Sequence, residues 1–271
     1  MRLGNHPDPL RFVVDSAAGA TVLDAAVARR HDLLDSQQDE EIRVQGASAK
    51  SAILRRLRPI PWHIGSLSLT MAGVQTDLSG LTPTGQPMID GILGNDITRR
   101  WDTRWDFAKG QFQLWPSGSL AHGANCQANA MPDRDAPMQG FGFLRVRLGE
   151  SGIEAMAVVD TGAAQSVLNM AAATALGLRT DGSDKRVSVR GKGTSGLGDR
   201  AQETWLYEMP GLSSGRWRHP AMQVRISALP VFAAMGLADS PAMILGADAM
   251  AGDQLDVTAN AERICLRGTT S

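Results

Sequence analysis

The sequence contains an internal repeat, and this feature constrains the fold more than any other. Residues 11–23 read RFVVDSAAGATVL and residues 156–168 read MAVVDTGAAQSVL, which align without a gap at an offset of 145 residues. The alignment places Asp15 on Asp160, each at the end of an apolar run. Self-similarity at a fixed offset is the signature of a duplicated structural unit.

A second matched pair of segments lies later in each copy. Residues 91–96 (GILGND) correspond to residues 243–248 (MILGAD) at an offset of 152. The larger offset means that the second copy holds a few extra residues, which loops tolerate at little entropic cost. Both copies then close with strand-like patterns, at 105–115 and 255–266. Matched segments in one order indicate a tandem duplication.

The duplication divides the chain into two lobes and a linker. We expect the first lobe at residues 1–115 and the second at residues 140–271. Residues 116–139 are rich in Pro, Gly, Ala, Asn and Asp and lack periodicity, which is typical of a linker. Short alternating runs such as 143–148 and 222–226 predict a mostly β fold, with a short helix after each Ile-Leu-Gly segment.

The two copies differ at their first strand. Residues 141–146 (FGFLRV) form a strand-like run that leads into residues 147–149 (RLG), whereas the matching residues 2–4 directly follow Met1. We therefore expect that an N-terminal strand of the first lobe is truncated, and that any leader sequence is lost with it. The alternative is that the second copy gained a strand.

Composition narrows the classes of function. The net charge is −1, so no charge imbalance favours binding to nucleic acid or to an anionic membrane. The sequence has no apolar run of about 18 residues, so we expect no membrane span. The five histidines have no spacing suited to a metal, and we expect neither a metal nor a cofactor.

The two cysteines do not define a disulfide framework. Cys126 lies in the predicted linker, and Cys265 alternates within the strand-like residues 263–267. A lone buried thiol is the expected interpretation of such a residue. The cysteines therefore give little indication of the redox compartment.

Both copies resemble the retropepsin family, the retroviral-type aspartic proteases. Residues 158–163 (VVDTGA) match the family's apolar-apolar-Asp-Thr-Gly-Ala loop, and residues 244–246 (ILG) match its second element. The resemblance implies two tandem retropepsin-like barrels, related by a pseudo-two-fold axis, with a central cleft. The chain is similar to bacterial aspartyl-protease-like proteins, in which one chain does what a retroviral dimer does with two. The resemblance further implies a monomer and an exported, periplasmic protein.

The resemblance also implies an aspartic endopeptidase acting on peptide or protein substrates. Hydrolysis without a covalent intermediate needs one group to activate water and another to protonate the carbonyl oxygen. Two carboxyls that share one proton supply both, because like charges a few ångströms apart cannot both ionise. Asp15 and Asp160 are the implied catalytic pair. The loops implied to support them contain Ser16, Ala17, Ala18, Thr161, Gly162 and Ala163.

Each lobe should also carry a flap, a β-hairpin that closes over the substrate and excludes water. The implied flap residues are Gly46, Ala47 and Ser48 in the first lobe, and Gly191, Lys192 and Gly193 in the second. Tyr207 is the sole tyrosine and lies in neither segment. Two retroviral-type flaps are therefore favoured over one pepsin-type flap.

One departure from the family pattern concerns Ala17, which stands where the family has glycine. Its methyl group would crowd the opposite loop, or its backbone would need an angle that alanine disfavours. The alternative function is therefore a catalytically silent or impaired relative that keeps the cleft to bind peptide or protein. Ser16 in place of threonine retains the hydroxyl.

Four further aspartates, Asp96, Asp106, Asp248 and Asp256, occur in strand-end and turn contexts. We expect them to cap helices or to stabilise hairpins rather than to act as additional acids.

Overall fold

The computed structural model describes residues 1–4, 6, 8–34, 41–44, 52–82, 85–120, 126–129, 138, 140–194, 196 and 201–268. These residues form mostly β-strands with a few short helices, so the predicted fold class, a bilobal β fold, is confirmed. Within them, no helix is both long and apolar enough to cross a bilayer.

The strands of the described residues are, in chain order, β1 (Arg2–Leu3), β2 (Phe12–Val14), β3 (Val22–Asp24), β4 (Glu41–Val44), β5 (Ala52–Arg56), β6 (Ile60–Ile64), β7 (Leu67–Met71), β8 (Val74–Thr76), β9 (Gly91–Leu93), β10 (Trp101–Asp106), β11 (Gln111–Pro116), β12 (Ala128–Asn129), β13 (Phe143–Leu148), β14 (Ile153–Val159), β15 (Val167–Leu168), β16 (Val187–Thr194), β17 (Gln202–Met209), β18 (Leu212–Ser214), β19 (Trp217–His219), β20 (Met222–Ile226), β21 (Ala242–Leu245), β22 (Gln254–Val257) and β23 (Ile264–Arg267). The α-helices are α1 (Ala25–Arg30), α2 (Asn95–Thr98), α3 (Met170–Ala175) and α4 (Pro230–Ala234), with 3₁₀ turns at Ser79–Leu81, Ala247–Met250 and Ala259–Ala261.

The duplication is visible in the strand register. In the first lobe β2 pairs in parallel with β9, with Val14 opposite Leu93. In the second lobe β14 pairs in parallel with β21, with Val159 opposite Leu245. These partners keep the offsets of 145 and 152 that relate the sequence segments. The following strands, β3 and β15, pair with β8 and β20 on their other side. Each lobe thus builds the same arrangement around its aspartate segment.

The two lobes differ in how their layers connect. The first lobe has a sheet of order β2-β9-β3-β8-β5-β4 and a separate sheet of order β1-β6-β7. In the second lobe a single sheet has the order β16-β17-β20-β15-β21-β14-β13-β18-β19. There β13 lies between β14 and β18. Among the described residues of the first lobe, by contrast, β1 pairs with β6 alone and β2 lies at the edge of its sheet. The truncation of the first lobe's strand stays a prediction.

A further sheet, of order β11-β10-β22-β23-β12, contains strands from both copies. Strand β10 of the first copy pairs antiparallel with β22 of the second. Asp256 on β22 is buried and binds Arg104 of β10 through two bonds of 2.6 and 2.8 Å, and Arg267 of β23 through one of 2.5 Å. The predicted hairpin role of Asp256 is confirmed by its bond to Arg267 across the β22–β23 hairpin, and its bonds to Arg104 also join the two lobes.

The prediction from the sequence that the cysteines are lone thiols is wrong, because Cys126 and Cys265 form a disulfide. Strand β12, within the segment predicted as a linker, pairs antiparallel with β23 and places Asn129 opposite Cys265. This brings the two cysteine Cα atoms to 5.3 Å, within the range that a disulfide requires. The partners are 139 residues apart, so no local pattern could reveal the pairing.

Reduction of this disulfide should destabilise the protein, since the bond limits the conformational freedom of the unfolded chain. We expect a reducing agent to lower the free energy of unfolding by about 2–4 kcal/mol. Urea denaturation of the oxidised and reduced proteins measures the change. The double variant Cys126→Ser/Cys265→Ser serves as control and should not respond to the reducing agent. An equal response of both proteins would contradict the pairing.

Candidate active site

Two aspartates meet at the ends of equivalent strands. Asp15 follows β2 and its backbone N–H donates to Leu93 O at 3.0 Å, and Asp160 follows β14 and donates to Leu245 O at 3.0 Å. The apolar strands fix the backbone up to each aspartate, and the loop then turns the side chain towards the other lobe. The carboxyl of Asp15 lies against Gly162, two residues after Asp160, and each carboxyl shifts the pKa of the other. The structure therefore brings together the pair that the sequence predicted.

The two aspartate loops are joined by hydrogen bonds between hydroxyl side chains and the opposite backbone. Ser16 N donates to Thr161 Oγ1 and Thr161 N donates to Ser16 Oγ, both at 3.0 Å. Each hydroxyl donates in turn to a strand carbonyl of the other lobe: Ser16 Oγ to Val159 O at 2.7 Å, and Thr161 Oγ1 to Val14 O at 2.6 Å. Each hydroxyl both donates and accepts, so the orientation of each loop depends on the other.

Backbone N–H groups orient both carboxyls in the same way. Ala17 N donates to Asp15 Oδ1 at 2.8 Å, and Gly162 N and Ala163 N each donate to Asp160 Oδ1 at 2.9 Å. Burial raises the pKa of both aspartates, and the charge of Asp15 raises the pKa of Asp160 further, to well above its usual range. The backbone donors oppose these shifts. The pair therefore holds on to one proton and titrates as a unit.

The two small residues at matched positions, Ala17 and Gly162, have different surroundings. A Cβ atom on Gly162 would lie 2.4 Å from both Cγ and Oδ2 of Asp15, so glycine is required there. Ala17 has no left-handed backbone angle, and its methyl group packs against an apolar cluster of the second lobe that contains Phe143 and Val158. Neither crowding of the opposite loop nor a disfavoured backbone angle therefore arises at Ala17. Ala18 packs in an apolar cluster of the first lobe.

In each lobe, a hydrogen bond between a hydroxyl and a carboxylate supports the aspartate loop. Thr21 Oγ1 donates to Asp96 Oδ1 at 2.7 Å, and Ser166 Oγ donates to Asp248 Oδ1 at 2.7 Å. Each carboxylate also accepts from the N–H of the next residue, but the N-caps of the two helical turns are Gly94 and Gly246, and neither turn has a side-chain cap bond. The predicted capping role of Asp96 and Asp248 is therefore wrong, and each carboxylate instead fixes the hydroxyl of its lobe. Asp106 accepts from Lys109 in a hairpin turn, as predicted.

Sequence reasoning missed Asn95, whose buried amide contacts both lobes. Asn95 Nδ2 donates to Ser16 O at 2.7 Å and to Gly140 O at 3.2 Å. The matching residue of the second copy, Ala247, makes only the shared backbone bond, to Ala163 O. A polar residue opposite alanine in otherwise matched segments was the available signal.

The residues predicted to form the second-lobe flap lie on the hairpin of β16 and β17. Gly191 has φ +74°, a left-handed angle suited to glycine, and the register between the strands shifts between Val189 and Gly191. Lys192 and Gly193 continue the strand. The first-lobe flap residues, Gly46, Ala47 and Ser48, lie outside the described residues, as do 195 and 197–200 at the second tip. In the first lobe, β4 and β5 form the hairpin that leads to them.

No three potential metal ligands (His, Cys, Asp or Glu) lie together in the part of the chain that the structure describes. The functional groups that do converge are the two carboxyls and the hydroxyls beside them.

Comparison with known proteins agrees with this geometry. The family model described as "Aspartyl protease" matches residues 2–97 and 144–249. The chain belongs to the aspartyl protease family. The two matches correspond to the two copies, so the predicted tandem retropepsin-like duplication is confirmed.

Among solved structures, the chain is similar to a retropepsin-like aspartic protease from Rickettsia conorii, at 15% identity and a TM-score of 0.30. The similarity covers 44% of this chain and 80% of that one. No curated protein matches the chain.

The different surroundings of Gly162 and Ala17 predict different responses to substitution. Gly162→Ala should lower the free energy of unfolding by about 1–3 kcal/mol, because the new methyl group overlaps the carboxyl of Asp15. Ala17→Gly should cost only about 0.4–1 kcal/mol, through the entropy of the unfolded chain. Chemical denaturation of both variants measures the two costs. Similar values for both would contradict the asymmetry.

The raised pKa of Asp160 predicts a pH-dependent gain in stability for Asp160→Asn. A carboxyl whose pKa is higher in the folded state favours folding at low pH, and this contribution is lost as the pH rises through the folded pKa. The amide does not ionise, so the variant should become more stable than the natural protein as the pH rises from 4 to 7. Denaturation across this range tests it, with the exposed Asp239→Asn as control. A difference that does not change with pH would contradict it.

Proposed function

We propose that this member of the aspartyl protease family is a single-chain aspartic endopeptidase, and that Asp15 and Asp160 together activate the attacking water. One observation carries the proposal: the two aspartate loops cross-bond through Ser16 and Thr161, and the carboxyl of Asp15 lies against Gly162 beside Asp160, where each carboxyl shifts the pKa of the other. Burial and mutual repulsion favour one proton on the pair, which is the protonation state that the chemistry needs.

The proton transfers follow from this state. The ionised carboxyl accepts a proton from water as the oxygen attacks the peptide carbonyl carbon, while the protonated carboxyl donates its proton to the carbonyl oxygen. As the tetrahedral intermediate collapses, the C–N bond breaks and the amine nitrogen accepts a proton from the carboxyl that took it from water. The intermediate's hydroxyl returns its proton to the other carboxyl, so the pair ends with one proton.

The same geometry supports a monomer as the active form. Each lobe supplies one aspartate, and the lobes are joined by the β10–β22 pairing and by the ion pair of Arg104 with Asp256, while the disulfide ties the connecting segment to the second lobe. The flap strands β16 and β17 would cover a bound peptide and exclude water from the carboxyls. The substrate class that this cleft suits is an extended peptide or an unstructured protein segment.

The alternative function, a catalytically silent relative that binds peptide or protein, rests on Ala17. In the first loop Ala17 keeps the bond from its N–H to Asp15, and its methyl group packs without displacing the carboxyl. This favours the catalytic proposal over the silent alternative.

An oxidising, exported location such as the periplasm also belongs to the proposal. A structural disulfide persists in such compartments and is rare in a reducing cytosol. The Cys126–Cys265 bond therefore favours export.

Replacement of either aspartate should abolish cleavage. An amide can neither accept the proton of water nor share one with its neighbour, so we expect Asp15→Asn and Asp160→Asn each to lower kcat at least about 10³-fold. The assay is cleavage of an unstructured protein, with a statine inhibitor that should block the natural enzyme. The exposed Asp239→Asn should retain full activity. Substantial cleavage by either active-site variant would exclude the paired mechanism.

The rate should follow a bell-shaped pH profile, because activity needs one carboxyl ionised and the other protonated. Both pKa values are raised, so activity should extend to higher pH than ordinary aspartates would allow. We expect an optimum on the acid side of neutrality, with the alkaline limb set by loss of the shared proton.

A further inference from the structure

An arginine of the second lobe bridges the aspartate loop and the flap. Arg225 on β20 donates from Nε to Gln165 Oε1 at 2.7 Å, five residues after Asp160. Its NH1 donates to Gly193 O at 2.5 Å and to Thr194 Oγ1 at 3.4 Å, both on the flap strand β16. The guanidinium therefore lies between the loop that follows Asp160 and strand β16, so a peptide held between that loop and the proposed flap would pass beside it.

The charge of Arg225 is not balanced by a bonded carboxylate. Its three hydrogen-bond acceptors are neutral, and no ion pair to it exists among the residues that the structure describes. Asp248 attracts it, but both oxygens of that carboxylate accept hydrogen bonds from Ser166. Burial lowers the pKa of Arg225, and the neighbouring Arg190 lowers it further. By contrast, Arg104 and Arg267 both bind Asp256.

Part of the guanidinium remains available. The second terminal nitrogen, NH2, has no hydrogen-bond partner within the described residues, and it is not among the buried polar atoms that lack one. This nitrogen therefore retains some solvent-accessible surface. A partly buried cation with neutral partners carries an unrecovered desolvation cost. A carboxylate that arrived at this nitrogen would recover it through a charge-assisted hydrogen bond.

The first lobe has a different residue at the matching place. Arg225 N donates to Ser166 O at 3.0 Å, and Val74 N donates to the matching Thr21 O at 3.2 Å. Val74 is therefore the structural equivalent of Arg225, and it is buried in an apolar cluster. Opposite Val74 in the β5–β8 pairing lies a first-lobe arginine, Arg56. It stands on β5, one strand further from the aspartate loop than Val74. The two sides of the cleft therefore differ in charge beside the catalytic loops.

We propose that Arg225, held by Gln165 and the flap strand, forms a subsite that binds an acidic side chain of the peptide substrate on the second-lobe side of the cleft. The inference rests on the proposed function, since it assigns a substrate preference to that site. It predicts a sequence preference for glutamate or aspartate at one position near the cleaved bond. The matching position on the first-lobe side has no such preference.

The test compares peptides that differ by one functional group. A degenerate peptide library, digested by the natural protein and analysed by mass spectrometry, gives the cleavage positions. Two peptides based on the preferred sequence then carry Glu or Gln at the acidic position. We expect kcat/KM to be at least about tenfold higher for the Glu peptide, because an amide cannot make the charge-assisted bond.

Three variants isolate the role of Arg225. Arg225→Gln should reduce the Glu-to-Gln ratio to about one, and Arg225→Lys should retain part of it because the charge remains. Arg263→Gln removes an exposed arginine in the turn before β23 and should leave the ratio unchanged. Circular dichroism and thermal unfolding establish that each variant is folded. A ratio near one for the natural protein, or an undiminished ratio in folded Arg225→Gln, would overturn the subsite.

Binding measurements separate this inference from the proposed catalytic function. Fluorescence anisotropy gives the Kd of the labelled Glu and Gln peptides, and a peptide pull-down selects the sequence if no cleavage occurs. Preference for Glu that depends on Arg225, without any cleavage, would support the subsite and reject the endopeptidase. Cleavage without an acidic preference would support the endopeptidase and reject the subsite.

Discussion

The hydroxyl bonds between Ser16 and Thr161 are the interaction on which the rest of the site depends. A buried hydroxyl without partners would destabilise the fold, and here each partner lies in the other lobe. The lobes must therefore dock in one relative position for either loop to be satisfied. That same position brings Asp15 and Asp160 together, so correct docking and formation of the carboxyl pair are one event.

Docking of the lobes needs support outside the loops, because holding two carboxyls together is itself unfavourable. The sheet that contains β10 and β22 supplies backbone bonds across the lobes, and Asp256 links three of its strands through Arg104 and Arg267. The disulfide fastens β12 beside β23 at the other end of that sheet. The mutual repulsion of the acid pair is therefore opposed by contacts outside the aspartate loops.

The sequence was sufficient for the parts of the structure that repeat. The offsets of 145 and 152 predicted the equivalent segments of the two lobes and the two aspartates that meet, because both copies preserve the local motifs. The sequence was insufficient for contacts between positions that share no repeated pattern. These are the disulfide, the bonds of Asp256 and the bonds of Asn95. Arg225 and Val74 were hidden because the extra residues of the second copy shift their alignment, and only the hydrogen bonds to Ser166 and Thr21 identify them as equivalent.

The residues that lie outside the repeated motifs, such as Asn95 and Arg225, distinguish the two lobes. Fusion of the two copies into one chain permits such differences. Two identical subunits must place the same residue on both sides of a cleft, so an arginine suited to one side of a substrate would appear on both. In a single chain, Val74 and Arg225 can differ. A symmetric cleft binds a peptide equally well in either chain direction, whereas a cation beside one aspartate loop favours the direction that places an acidic side chain there. The asymmetry at Arg225 would thus select both the sequence and the orientation of the substrate, while the two carboxyls retain their symmetric roles.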